Sequence, residues 1–227
     1  MSVVLVRRKA RGPRLGSLTG EATLYSGGDS GQYQSIGMQY YLLGRQALLH
    51  VQVPVCANLL HHALEMLIKA ALRPTYTSTQ LRKTFGHKLG GLWAEYKAVI
   101  CDGTLSRFDA SVTLLDKWEE IRYPPDAGFS AQITTDRIDR SLRRRLPNYV
   151  LSLDEIDELV AIILEKSGWA KRFHHVLRDR GRRAMYFEQN RHTVFRRSSF
   201  RAEDDELTRK LTALTTKRAR SKSKSGS

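Results

Sequence analysis

Four polar residues recur at helical spacing inside an otherwise apolar segment: Asn58, His62, Glu65 and Lys69, within NLLHHALEMLIKAAL from Asn58 to Leu72. At 100° per residue they fall within about 60° of one another, so one helix presents them as a narrow stripe. The stripe can line a shared pocket. It can equally be the wet face of the helix, with Glu65 and Lys69 as an i,i+4 ion pair in the better orientation, contributing a few tenths of a kcal/mol.

Arg122 is the sharper feature. It follows Trp118 by four residues and Leu115 by seven, so its side chain leaves a helix on the line that faces the core. A guanidinium there needs a partner. Either Glu119 and the last carbonyls of the helix supply it, or a phosphate or a carboxylate of another molecule does. His87 caps or opens the helix that follows it. His61 and His62, like His174 and His175, are adjacent in sequence and do not form an i,i+4 ligand pair, so no metal and no cofactor is expected.

Five helical patterns would position these residues. The first runs from Met38 to Val51, with Tyr40, Tyr41, Leu43, Ala47, Leu48 and Val51 near one side. The second starts at Pro54, which suits a first turn, and repeats Cys56, Leu59, Leu60, Ala63, Leu64, Leu67, Ile68 and Ala71 at i, i+3, i+4 spacing. It reads as the central core helix, ended by Pro74, with a polar loop over 74–86. The third buries Leu89, Leu92, Trp93, Tyr96 and Ile100. The fourth buries Leu105, Phe108, Val112, Leu115, Trp118 and Ile121 and stops at Pro124-Pro125. Residues 126–148 read as a polar connection with a basic cluster at Arg143, Arg144 and Arg145. The fifth opens with a capping box, Ser152 and Glu155, and a staple pair, Leu151 and Ile156, and Gly168 ends it.

These patterns predict an all-α, antiparallel bundle of about five helices. The expected organisation is a flexible basic arm over 1–36, the bundle over 37–168, an accessory helix and small hairpin over 169–200, and a basic, disordered tail over 201–227. GGDSG at Gly27 to Gly31 lacks both a GK[ST] continuation and a following helix pattern, so it is not read as a phosphate loop.

The chain has 227 residues and a net charge of +15. Residues 1–14 hold five Lys/Arg and no acid, and residues 166–227 hold 18 Lys/Arg and six Asp/Glu, which leaves −2 for the middle. Basic ends suit phosphate backbones and equally serve solubility. Cys56 and Cys101 fall at apolar helical positions and are expected to be buried, reduced thiols. No run approaches the ~18 apolar residues of a membrane span, and the basic residues follow the short apolar opening instead of preceding it, so a cytosolic protein without membrane contact is expected.

Three segments in order, HHALEMLIKAAL, GHKL and IRYPPD, together resemble the HEPN superfamily, helical bundles of bacterial toxin-antitoxin and defence systems, also found beside nucleotidyltransferases. The resemblance covers about residues 38–165. It implies a homodimer and a binding site around Arg122, Tyr123, His87, His62, Glu65 and Lys69. Catalytic members carry Arg-x(4–6)-His near the Arg-Tyr-Pro helix end and cut RNA without a metal. Here Arg122 matches the arginine, but no histidine lies between Tyr123 and Asp154. Two other matches, Arg45 to His50 and Arg82 to His87, stand elsewhere. The expectation is therefore a non-catalytic bundle binding RNA or a nucleotide-bearing partner, with no catalytic residue assigned. Two alternatives remain: a metal-independent endoribonuclease toxin, and a protein-interaction subunit for a nucleotidyltransferase or toxin.

Overall fold

The segment with the densest apolar repeat becomes the axis of the fold. In the computed structural model, which describes residues 29–53, 55–118, 131–138, 149–174, 176–200 and 209, it forms helix α2 (Val55–Leu72). Around it lie α1 (Asp29–Leu49), α3 (Ser78–Phe85), α4 (Leu89–Ile100), α5 (Asp109–Trp118) and α6 (Leu153–Lys166). The short helices α7 (Ala170–Phe173) and α8 (Arg180–Phe187) follow. Helix α2 packs against α1, α4, α5 and α6. Cys56, Leu60, Ala63, Leu64, Leu67 and Ile68 are all buried there, and each fully buried leucine or isoleucine contributes about 1.5–3 kcal/mol. By length and composition α2 is the one helix among the described residues that could cross a membrane; in this fold 67% of it is buried in the protein.

Helices α1 and α2 run antiparallel and approach at two glycines. A Cβ on Gly44 would stand 2.8 Å from Cγ of Leu60, and one on Gly37 would stand 3.0 Å from Cγ and 3.1 Å from the backbone nitrogen of Leu67. This contact sets which side of α1 is buried. Met38, Tyr41, Leu42 and Leu48 face inward, whereas Leu43 and Val51, expected on the buried side, are exposed. Counting large apolar residues missed the true stripe because two glycines and a buried arginine belong to it.

That arginine, Arg45, is paired with Asp157 of α6 and also donates to the carbonyls of Met185, at 3.1 Å, and Glu188. Tyr41 donates to the other oxygen of Asp157 at 2.7 Å. Burial pushes the Asp157 carboxyl up against the pull of Arg45 and Tyr41. Arg45 in turn is held above its ordinary value; burial alone would lower it, but Tyr41 and Asp157 outweigh that. The network ties α1 to α6 and to the turn after α8.

Helices dominate, as the all-α expectation required, and several boundaries differ from it. The arm expected through residue 36 gives way to helix at Asp29, so helix α1 begins within GGDSG. The loop expected over 74–86 contains α3, started by a capping box between Thr77 and Gln80. The fourth helix begins as a 3-10 turn over Gly103–Phe108 before α5. Two short strands, β1 (Ala131–Thr134) and β2 (Tyr149–Ser152), pair in parallel with Ala131 opposite Tyr149. The hairpin expected around Gln189 to Arg191 is absent: α8 occupies its first half and no strand lies in 188–200.

At α6 the Ser152 hydroxyl accepts from the backbone N–H of Glu155 at 3.3 Å, while the Glu155 carboxylate takes the Ser111 hydroxyl at 2.5 Å. The box is thus half formed, and its second half is spent on docking α5. Both cysteines are free; Cys56 is buried, but Cys101 is exposed at the left-handed residue that ends α4.

Candidate functional site

The stripe on α2 is neither a wet face nor a simple surface pair. Glu65 has no exposed surface and Lys69 is 5% exposed. Lys69 Nζ donates to Glu65 Oε1 at 2.5 Å and to the Gly86 carbonyl at 2.6 Å. His62 Nδ1 lies 3.3 Å from Glu65 Oε2, and His87 Nδ1 lies 3.0 Å from Oε1. One carboxylate thus gathers three nitrogen donors. Burial pushes the Glu65 carboxyl up, but donation from His62, Lys69 and His87 outweighs it and brings it down to about 2. It is a fixed negative charge at any ordinary pH. Asn58, one turn earlier, is not part of the cluster; its Oδ1 is buried without a hydrogen-bond partner.

Two local devices place His87. Gly86 adopts φ +56°, a conformation open mainly to glycine, and its carbonyl is held by Lys69. The first turn of α4 lacks a side-chain cap from Lys88, so Asp116 of α5 supplies one, accepting from the backbone N–H groups of Leu89 at 3.1 Å and Gly90 at 3.2 Å. His87 therefore does not cap α4, as its sequence position suggested. Its ring is 74% exposed and turns back to Glu65.

A cavity of about 390 Å³ opens beside this cluster, lined by Tyr33, Glu65, Met66, Lys69, Ser78, Thr79, Arg82, Gly86 and His87. The structure brings together Glu65, Lys69, His62 and His87 of the expected site. Arg122 and Tyr123 lie outside the described residues, as do the basic cluster at Arg143 to Arg145 and, apart from Arg209, the tail expected over 201–227. Ser78, Thr79 and Arg82 were missed because the Thr77-x-x-Gln80 capping signal that reveals α3 was read as loop, and Tyr33 because it fell within the arm expected over 1–36.

The two remaining Arg-x(4)-His matches separate cleanly. Arg45 is buried on Asp157, whereas His50 is exposed and held to the Gln46 carbonyl. Arg82 and His87, by contrast, share the cavity.

Chemically the site offers an exposed imidazole oriented by a buried carboxylate, an exposed guanidinium, two hydroxyls in the first turn of α3 and an aromatic wall. With Nδ1 of His87 donating to Glu65, the other ring nitrogen faces solvent, as an acceptor in the neutral ring and as a second N–H donor in the protonated one. Comparison with known proteins finds no matching family model, no similar curated protein and no similar solved structure.

Proposed function

We propose that this chain is a HEPN-like helical bundle that binds RNA without cutting it, using the cavity between α1, α2, α3 and the Gly86-His87 segment. The observation that carries the reading is the pairing of Arg82 and His87 with Tyr33 in one open cavity of a chain with net charge +15. Arg82 and His87 suit a phosphate, and Tyr33 suits a base, because unpaired bases stack on aromatic faces. Lys69 is already neutralised by Glu65 and contributes position more than charge. The basic segments at both ends add sequence-independent attraction.

The test is titration of a labelled single-stranded RNA at several salt concentrations. Affinity should fall steeply as salt rises. Arg82→Ala and His87→Ala should each weaken binding about fivefold to tenfold, and removal of residues 201–227 should flatten the salt dependence. Binding insensitive to salt and to both substitutions would overturn the reading.

One observation favours an endoribonuclease instead: the buried Glu65 holds an exposed His87, the arrangement that prepares an imidazole for proton transfer. RNA cleavage in the presence of a chelator, lost in His87→Ala and in Arg82→Ala, would select that reading.

A further inference from the structure

We propose that His61, His62 and Glu65 form a binding site for a divalent cation of the Zn²⁺ class, with a fourth position left for water or an exogenous ligand. Each residue offers one ligand atom, and the three lie within 4.8 Å of one another. Adjacent histidines do not share a helix face, yet their rings stand perpendicular, 88° apart, with centroids 5.4 Å apart. Two imidazoles on one tetrahedral ion, with bonds of about 2.0–2.1 Å, place their centroids about 5 Å apart. The 3.3 Å from His62 Nδ1 to Glu65 Oε2 matches the edge of the same tetrahedron, about 3.3 Å; an ion there displaces the proton that Nδ1 otherwise donates to Glu65. The ligand atoms, up to 4.8 Å apart, would have to draw in toward that edge on binding an ion.

The surroundings fit ligation as well. His61 Nδ1 lies 3.2 Å from the Leu115 carbonyl of α5. A carbonyl only accepts, so Nδ1 carries the proton and Nε2 carries the lone pair. That Nε2 is buried without a hydrogen-bond partner, in a residue with no exposed surface. An unmet buried acceptor is costly, and a metal-ligating histidine ordinarily donates its other N–H in this way. Glu65 is divided similarly. Lys69 at 2.5 Å and His87 at 3.0 Å lie nearer Oε1, while Oε2 faces His62 at 3.3 Å and is also reached by His87 at 3.3 Å. Ligating carboxylates are themselves hydrogen-bonded in just this manner. Two imidazoles and one carboxylate suit zinc-class ions, and they are too few oxygens for calcium or magnesium. The Lys69 ammonium repels an ion, so affinity is lower than for the same ligands without it.

The full chain, stripped with a chelator, is titrated with Co²⁺ as a visible probe and then with Zn²⁺ as competitor. One equivalent of Co²⁺ per chain, with the intense absorption of a tetrahedral site and displacement by Zn²⁺, supports the proposal if His62→Gln and His61→Gln each weaken binding at least tenfold. His61 is buried, so helix content is checked by circular dichroism; His62, partly exposed, gives the variant expected to fold normally. His192→Gln, far along the chain on Asp154, should bind as the parent does. Absence of saturable one-to-one uptake, unchanged affinity in His62→Gln, or loss of binding in His192→Gln would each overturn it.

Discussion

His87 Nδ1 lies 3.0 Å from Glu65 Oε1, joining a ring that is 74% exposed to a carboxylate with no exposed surface. Solvent chemistry at His87 is thereby connected directly to the electrostatics of the core, and the behaviour of Glu65 can be tested from either side.

Removing the Glu65 carboxylate should be far more damaging than an ordinary surface substitution. Glu65→Ala strands the Lys69 ammonium in a nearly dry site, at a cost of about 3–5 kcal/mol. Replacing both, as Glu65→Leu with Lys69→Met, removes the charges together and should recover most of that loss. Urea unfolding of the three proteins measures the difference. A single Glu65→Ala variant as stable as the parent would contradict the burial of the pair.

The acid limb of stability follows from the same carboxylate. Its folded-state value, about 2, lies below the ordinary 4.5, so the unfolded chain takes up the proton first as pH falls. The stabilising contribution, about 3 kcal/mol, is complete above about pH 4.5 and is lost between there and pH 2. The groups facing it are His62, Lys69 and His87. Asp102, held below its ordinary value by Lys166 and Thr104, adds to the same limb. So does Asp109, which burial pushes up but Lys97 and Trp93 pull further down. Thermal melts from pH 6 to pH 2.5 should therefore show a shallower decline for Glu65→Gln than for the parent.

Asp116→Ala should cost about 1 kcal/mol, the usual loss for a helix N-terminal cap. The specific readout is amide hydrogen exchange at Leu89 and Gly90, whose N–H groups lose their acceptor. Faster exchange confined to the start of α4 is expected. If exchange there stays as in the parent, Asp116 does not cap this helix.

Gly44→Ala should destabilise by about 1–3 kcal/mol, because the new Cβ meets Leu60 at 2.8 Å and the helices must separate. Gly31→Ala, where nothing lies within 4 Å, should be neutral or gain up to about 1 kcal/mol from helix propensity. Equal effects at the two positions would show that the helices are not closely packed at Gly44.

Periodicity made the apolar framework readable. The stripes of α2, α4 and α6, and the limits of α6 at Ser152 and Gly168, follow directly from residue spacing. The face of α1 was not readable that way, because its contact surface is built from Gly37, Gly44 and Arg45, which no hydrophobic count selects. Helix α3 was signalled by Thr77 and Gln80 but outweighed by the polarity of its residues. The Glu65 stripe was visible as a pattern; its burial was not, since that depends on His87 and Gly86 arriving from another part of the chain. Strand pairing of β1 with β2 leaves no trace in four-residue segments.

The seating of Gly37 and Gly44 on α2 also fixes where the start of the chain is anchored. Because the two helices cannot slide past each other at these contacts, Tyr33 keeps its place on the cavity wall, and Asp29 stands one helical turn before it. Five basic residues occupy positions 1–14, N-terminal to this helix in the sequence. If the cavity holds an anionic strand as proposed, replacing those five basic residues by alanine should lower the affinity and flatten its salt dependence, while substitutions that loosen the Gly37 and Gly44 contacts should act on the cavity wall itself.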